Sequence, residues 1–231
     1  MTTVPTKSLP AALALLLVAA SGVPAAQQAP PPPLVTAEEI LAGLPADGSR
    51  WLTFGGDYAN QRHSPLTQIT PENVDRLVPR WTFQTGTLGN FETTSLLRDN
   101  VLYVTGPQNV AWAIDARTGR QIWRYRRELP TGLTACCGLV NRGFAMLGDK
   151  LFMVTLDAHL LALDARTGSI VWDATMEEFS IGYASTIAPL VVKDKVIVGV
   201  AGGEYGIRGF IDAYDAETGQ RAWRFYTVPA P

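Results

Sequence analysis

Few side chains in this sequence are equipped for chemistry, and their types narrow what that chemistry is. The soft metal ligands are two histidines, His63 and His159, and the adjacent pair Cys136 and Cys137. That set falls short of a structural zinc site or a disulfide framework, so any metal has to be held by oxygen. Glu204, at the end of Ala201-Gly202-Gly203, can offer a hard cation two carboxylate oxygens, and the glycines let a ligand approach the backbone closely. Alone, Gly-Gly-Glu is equally a turn between strands with a solvated acid. In TACCGLVNRG the two cysteines are followed by Arg142, and the plain reading of such a pair is two reduced thiols packed as small apolar residues. Glu92, in FETTSLLRDNVLYV, is either a site acid or an exposed loop acid. His63 and His159 read as loop residues, and Asp157 and Asp164 as turn formers. No G-x-G-x-x-G follows a strand and opens a helix, which argues against a nicotinamide cofactor.

The elements that position these residues come from an internal repeat. One phrase occurs three times, as AIDARTGRQIW in residues 113–123, ALDARTGSIVW in 162–172 and AYDAETGQRAW in 213–223. Each fits A-x-D-x-x-T-G-x-x-x-W, and the tryptophan recurs about every 50 residues. Ahead of each phrase stands an apolar strand with a charged turn: SLLRDNVLYVT, AMLGDKLFMVT and PLVVKDKVIVGV. The phrase itself predicts a β-hairpin. Asp115, Asp164 and Asp215 open the turn by binding backbone amides, and Gly119, Gly168 and Gly219 supply a positive φ that a Cβ would penalise. A large ring placed once per four-stranded unit, opposite a small Ala, is what radially stacked sheets need. The fold class is therefore all-β, a β-propeller of four-stranded blades. The phrase differs from the kelch and WD signatures, and alternating β-branched strands exclude a helical repeat.

Full repeats end near Trp123, Trp172 and Trp223. Before them, residues 77–83 carry Trp81 without a preceding hairpin, as a closing strand that completes the last blade of a ring would. Three repeats and one strand cannot close a ring of about four to eight blades. The expectation is an N-terminal part of a longer propeller, with open sheet edges that make it aggregate when expressed alone. Closure as an oligomer is the alternative.

With 19 Lys+Arg against 21 Asp+Glu and 47% hydrophobic residues, the chain is neither disordered nor a basic nucleic-acid binder. Residues 1–26 read as a signal peptide: Lys7 is their only charge, an apolar run fills 11–20, and small residues lead to Ala25 and Ala26. The run is too short to span a membrane, so no membrane span is expected and the mature protein is placed in the periplasm. Residues 27–50, with Pro30 to Pro33, form a Pro-rich tether and short lead-in, and the propeller part occupies 51–231.

From WLTFGGDYANQRHSPLTQITPENVDRL onward, the sequence resembles the N-terminal part of the pyrroloquinoline quinone (PQQ)-dependent alcohol dehydrogenases of the methanol and ethanol dehydrogenase type. The resemblance implies an eight-bladed propeller built on tryptophan-docking repeats. It implies that Cys136 and Cys137 form a vicinal disulfide stacked on PQQ, which an exported chain favours over free thiols. By the same resemblance Arg142 and Glu92 contact the quinone's polar groups, and Thr186 with the backbone of Ala201, Gly202 and Gly203 holds the cofactor. Glu204 becomes a ligand of Ca²⁺ or a lanthanide ion. Ala201 stands where the family commonly has Ser, which removes one hydroxyl.

The activity implied is oxidation of a small alcohol to an aldehyde, with electrons passing to a cytochrome c or a membrane quinone. The family's Asp base, its Asn metal ligand and the Trp and Lys beside the quinone correspond to positions beyond Pro231, so no catalytic residue is assigned to this chain. Two other readings share the repeats. A quinoprotein glucose-dehydrogenase-like enzyme usually lacks the adjacent cysteines, and a non-catalytic envelope scaffold lacks Cys136, Cys137, Arg142 and Glu204 together.

Overall fold

In this computed structural model, residues 1–2 and 34–230 are described. Nearly all of the expected signal peptide, and Pro30 to Pro33, lie outside them. Twelve strands form three antiparallel four-stranded sheets, each with its strands in chain order. Blade one holds β1 (Leu96–Arg98), β2 (Val101–Gly106), β3 (Val110–Asp115) and β4 (Gln121–Arg126). Blade two holds β5 (Ala145–Leu147), β6 (Lys150–Val154), β7 (His159–Asp164) and β8 (Ile170–Thr175). Blade three holds β9 (Leu190–Val192), β10 (Lys195–Gly199), β11 (Phe210–Asp215) and β12 (Arg221–Tyr226). This is the strand, turn, strand, strand, turn, strand order of each repeat.

Each β3–β4-type turn is built by its own phrase. The Asp115 carboxylate accepts from the amides of Arg117 and Thr118, and Asp164 and Asp215 do the same two and three residues on. Gly119, Gly168 and Gly219 have φ of 72°, 74° and 70°. Ala113, Ala162 and Ala213 face Trp123, Trp172 and Trp223 across the ladder.

The glycines have a second reason to lack a side chain. A Cβ on Gly119 would come 2.7 Å from the Trp81 ring, one on Gly168 2.7 Å from Trp123, and one on Gly219 2.7 Å from Trp172. Each tryptophan thus lies on the turn of the next blade. Its indole N–H donates to a carbonyl in that turn, Trp81 to Ala116 at 3.0 Å, Trp123 to Ala165 at 2.9 Å and Trp172 to Ala216 at 3.2 Å. Trp81 holds this position although residues 77–83 form no strand. A ladder needs a neighbouring strand, and among the described residues that segment has none.

The middle blade carries most of the core. Leu151, Phe152, Met153 and Val154 of β6, and Leu160 to Leu163 of β7, are fully buried, which explains why both strands read as continuous apolar runs. The segment ahead of the first blade, from Val35 to Tyr58, straps the blades together. Val35 pairs with Gly148 of blade two, Trp51 with Leu97 of blade one, and the Tyr58 hydroxyl donates to the Val191 carbonyl of blade three at 2.6 Å. Helix α1 (Ala37–Leu41), capped by the Thr36 hydroxyl on the Glu39 amide, buries Ile40 in that strap. Among the described residues no helix is long and apolar enough to cross a membrane.

Candidate functional site

At the end of the blades opposite the tryptophan turns, the chain approaches each first strand through a short extended segment, and these segments bond side by side. The Thr94 amide donates to the Arg142 carbonyl at 3.1 Å, and the Arg142 amide donates to the Thr186 carbonyl at 3.0 Å. Residues almost a hundred positions apart are thereby brought to one place. The Arg142 guanidinium spans the same three segments: one nitrogen donates to the Thr186 hydroxyl at 2.6 Å, and another meets the Glu92 carboxylate at 2.8 Å. A planar fork with several donors is suited to such a double hold, where an ammonium would serve only one partner well.

Beside this fork lies a cleft of about 220 Å³ lined by Cys136, Cys137, Arg142, Thr186, Ala201, Gly202 and Glu204. Cys136 and Cys137 are joined by a disulfide, with their Cα atoms 3.8 Å apart. Both residues are solvent-exposed, and Cys137 has a φ of 67°, so the sulfur pair is offered to the cleft by backbone held in the left-handed region. Gly202 has a φ of 125°, and a Cβ there would collide with the Gly182 carbonyl. Glu204 sits on a single 3-10 turn, Gly203–Tyr205, and makes no hydrogen bond or ion pair with the described residues. An exposed, unbonded carboxylate at the rim of a cleft suits a hard cation. Among the described residues no cluster of three or more metal-ligating side chains surrounds it.

Seven of the nine residues singled out in the sequence line the cleft. Glu92 joins them through Arg142, and Gly203 lies just behind, at the start of the 3-10 turn. Ala201 and Ala184 exchange both backbone bonds, at 2.8 and 3.1 Å. One expectation needs correcting. His159 is a strand residue and not a loop residue: it opens β7 and pairs with Asp173 at 2.6 Å. Ala135, Val140, Ala184 and Tyr205 also line the cleft. Of these, Tyr205 had a readable signal in its position next to Glu204, whereas the small apolar residues had none.

The donor set suits a flat, anionic, oxygen-rich ligand: a disulfide face, a guanidinium, a hydroxyl and the Gly202 backbone. Residues 51–231 match the family described as "Glucose/ethanol/alcohol dehydrogenase, beta-propeller domain", the PQQ family. The chain belongs to this family. It is 46% identical over 184 residues to a quinohemoprotein alcohol dehydrogenase, ADH IIB, of Pseudomonas putida, a match covering 79% of this chain and 27% of that protein. The quinohemoprotein alcohol dehydrogenase structure from Comamonas testosteroni superposes with a TM-score of 0.76 at 39% identity, covering 84% of this chain and 31% of that one. A europium-containing methanol dehydrogenase gives 0.74 at 42% identity, covering 77% and 32%. The chain thus spans about 30% of the length of such family members, one arc of the PQQ propeller.

Proposed function

We propose that this chain forms the disulfide-bearing wall of a PQQ site in a periplasmic enzyme that oxidises small alcohols to aldehydes. The observation that carries this reading is the convergence of Glu92, Cys136–Cys137, Arg142, Thr186 and Glu204 on one cleft from three blades. PQQ, when bound, supplies a two-electron acceptor for the alcohol. The disulfide offers a flat, apolar platform for its ring, held on one side only by this chain. Arg142, fixed by Glu92 and Thr186, presents positive charge to the cofactor's carboxylates, and its fork keeps that charge from swinging away. Thr186 brings its hydroxyl close to the ring edge, beside the Gly202 backbone that lines the cleft. Glu204 supplies carboxylate oxygens to Ca²⁺ or a lanthanide ion. The electron acceptor is a cytochrome c or a membrane quinone, as the family resemblance implies. The group that takes the alcohol's proton belongs to a part of the protein outside this arc. The adjacent cysteines weigh against a glucose-dehydrogenase-like site.

The test uses the full-length protein, exported, reconstituted with PQQ and titrated with Ca²⁺ or a lanthanide. Phenazine-coupled oxidation of short primary alcohols without NAD is the expected result. Failure to retain PQQ, with activity dependent on NAD, contradicts the proposal.

A further inference from the structure

The disulfide sits in an irregular segment, residues 128–138, whose position has to be set from outside. Within that segment one backbone bond is made, from the Leu133 amide to the Pro130 carbonyl at 3.3 Å. Its two ends are gripped by neighbouring residues of the β2–β3 turn. The Arg127 amide donates to the Asn109 carbonyl at 3.2 Å, and the Gln108 amide donates to the Leu139 carbonyl at 2.9 Å. The loop therefore has a closed neck, as an Ω-loop does.

That neck contains an ion cluster away from the cleft. Arg127 donates to Asp157 at 2.8 Å and to Asp173 at 2.7 Å, crossing from blade one to blade two. Asp157 also accepts from the Asn109 amide group at 3.2 Å, and the Asn109 side-chain oxygen accepts from the Leu156 amide at 2.9 Å. Asn109 is fully buried with a φ of 57°, a conformation Asn tolerates better than most side chains. His159 closes the cluster on Asp173. Burial pushes the Asp173 carboxyl up, but the bonds from His159 and Arg127 outweigh it and hold the group below the ordinary carboxylate range. Asp157 is buried, so removing Arg127 leaves a charge that burial makes costly to strand.

We infer that Arg127, braced by Asn109, Asp157 and Asp173, is a positioning residue that locks the neck of the loop presenting Cys136–Cys137. The lock acts on loop order directly, and on cofactor affinity through the disulfide. Its second effect rests on the PQQ reading, and its first does not.

The experiment compares full-length wild type, Arg127→Met and Arg127→Lys by amide hydrogen exchange without cofactor and by equilibrium binding of PQQ. In Arg127→Met, the bonded amides of the neck and loop, at residues 108, 127 and 133, exchange about tenfold faster, those of the Asp164 to Gly168 turn are unchanged, and the PQQ dissociation constant rises about tenfold. Arg127→Lys, which keeps the charge and loses the fork, lies between and stands in if the Met variant does not fold. Unchanged exchange at residues 108, 127 and 133, or an equal rise across all three blades, overturns the lock. If wild type binds no PQQ, the cofactor reading falls, and the exchange contrast alone decides the lock.

Discussion

The two ends of the blades are built on opposite principles. At the tryptophan end, three turns repeat the same bonds: an Asp carboxylate on two amides, a left-handed glycine, and the previous blade's indole N–H on a turn carbonyl. At the cleft end the backbone bonds between linkers repeat, but the side chains do not. The linker after blade one carries a disulfide, the β10–β11 connection of blade three a glycine-rich 3-10 turn, and Arg142 joins Thr186 to Glu92. The repeat specifies how blades stack, and the proposed site lies where the repeat is broken. Substitutions at the first end are expected to cost stability, and at the second to cost ligand binding while the fold survives.

The largest effect is expected at Trp123, which is 7% exposed between blades one and two. In the full-length protein Trp123→Ala loses the buried ring and its bond to Ala165, a destabilisation of about 3 to 5 kcal/mol. Denaturant melting measures it, and an unchanged midpoint breaks the docking account. Glu204→Gln is the converse. A neutral amide has one oxygen where the carboxylate has two, so most dye-linked alcohol oxidation is lost, part of it returns with excess Ca²⁺ or lanthanide, and the melting curve does not move. Wild-type activity and metal affinity in that variant make Glu204 a solvated turn acid.

Arg142→Lys is expected to be milder, because one ammonium cannot hold both Glu92 and Thr186. PQQ affinity falls by about tenfold with stability nearly intact, and a binding titration reads it. The smallest effect is at Asp215, whose carboxyl is held at about 2 against an ordinary 3.8, chiefly by the Thr218 amide and hydroxyl and then by Lys195. A carboxyl depressed by folding adds stability above its ordinary value, and that contribution is lost as pH falls from there through about 2. Asp215→Asn should therefore differ from wild type more at pH 7 than at pH 2, and only slightly, since the turn is open to solvent. A gap that widens in acid reverses the sign and rejects the assignment.

The tryptophan end was legible because its bonds are local. Asp115 and Gly119 lie within one turn, so spacing and residue type alone predict their roles. The contact between Gly168 and Trp123 was not legible, since it joins successive repeats and leaves no mark in the spacing of either. At the cleft, the family resemblance named the residues, yet it did not show that the Ala201 amide is already taken by Ala184. Arg127, Asn109, Asp157, Asp173 and His159 went unread as a group for the same reason: they come from separate turns and strands, and only the stacking of blades one and two assembles them.

The central claim is that the non-repeating end of these blades holds PQQ against the sulfur pair. A crystal structure of the full-length protein reconstituted with PQQ and a lanthanide ion tests it most directly, with the metal located by anomalous scattering. The account predicts the PQQ ring on the Cys136–Cys137 disulfide, Arg142 on its polar edge and a Glu204 oxygen on the metal. PQQ bound away from these cysteines, or a metal that Glu204 does not touch, contradicts it.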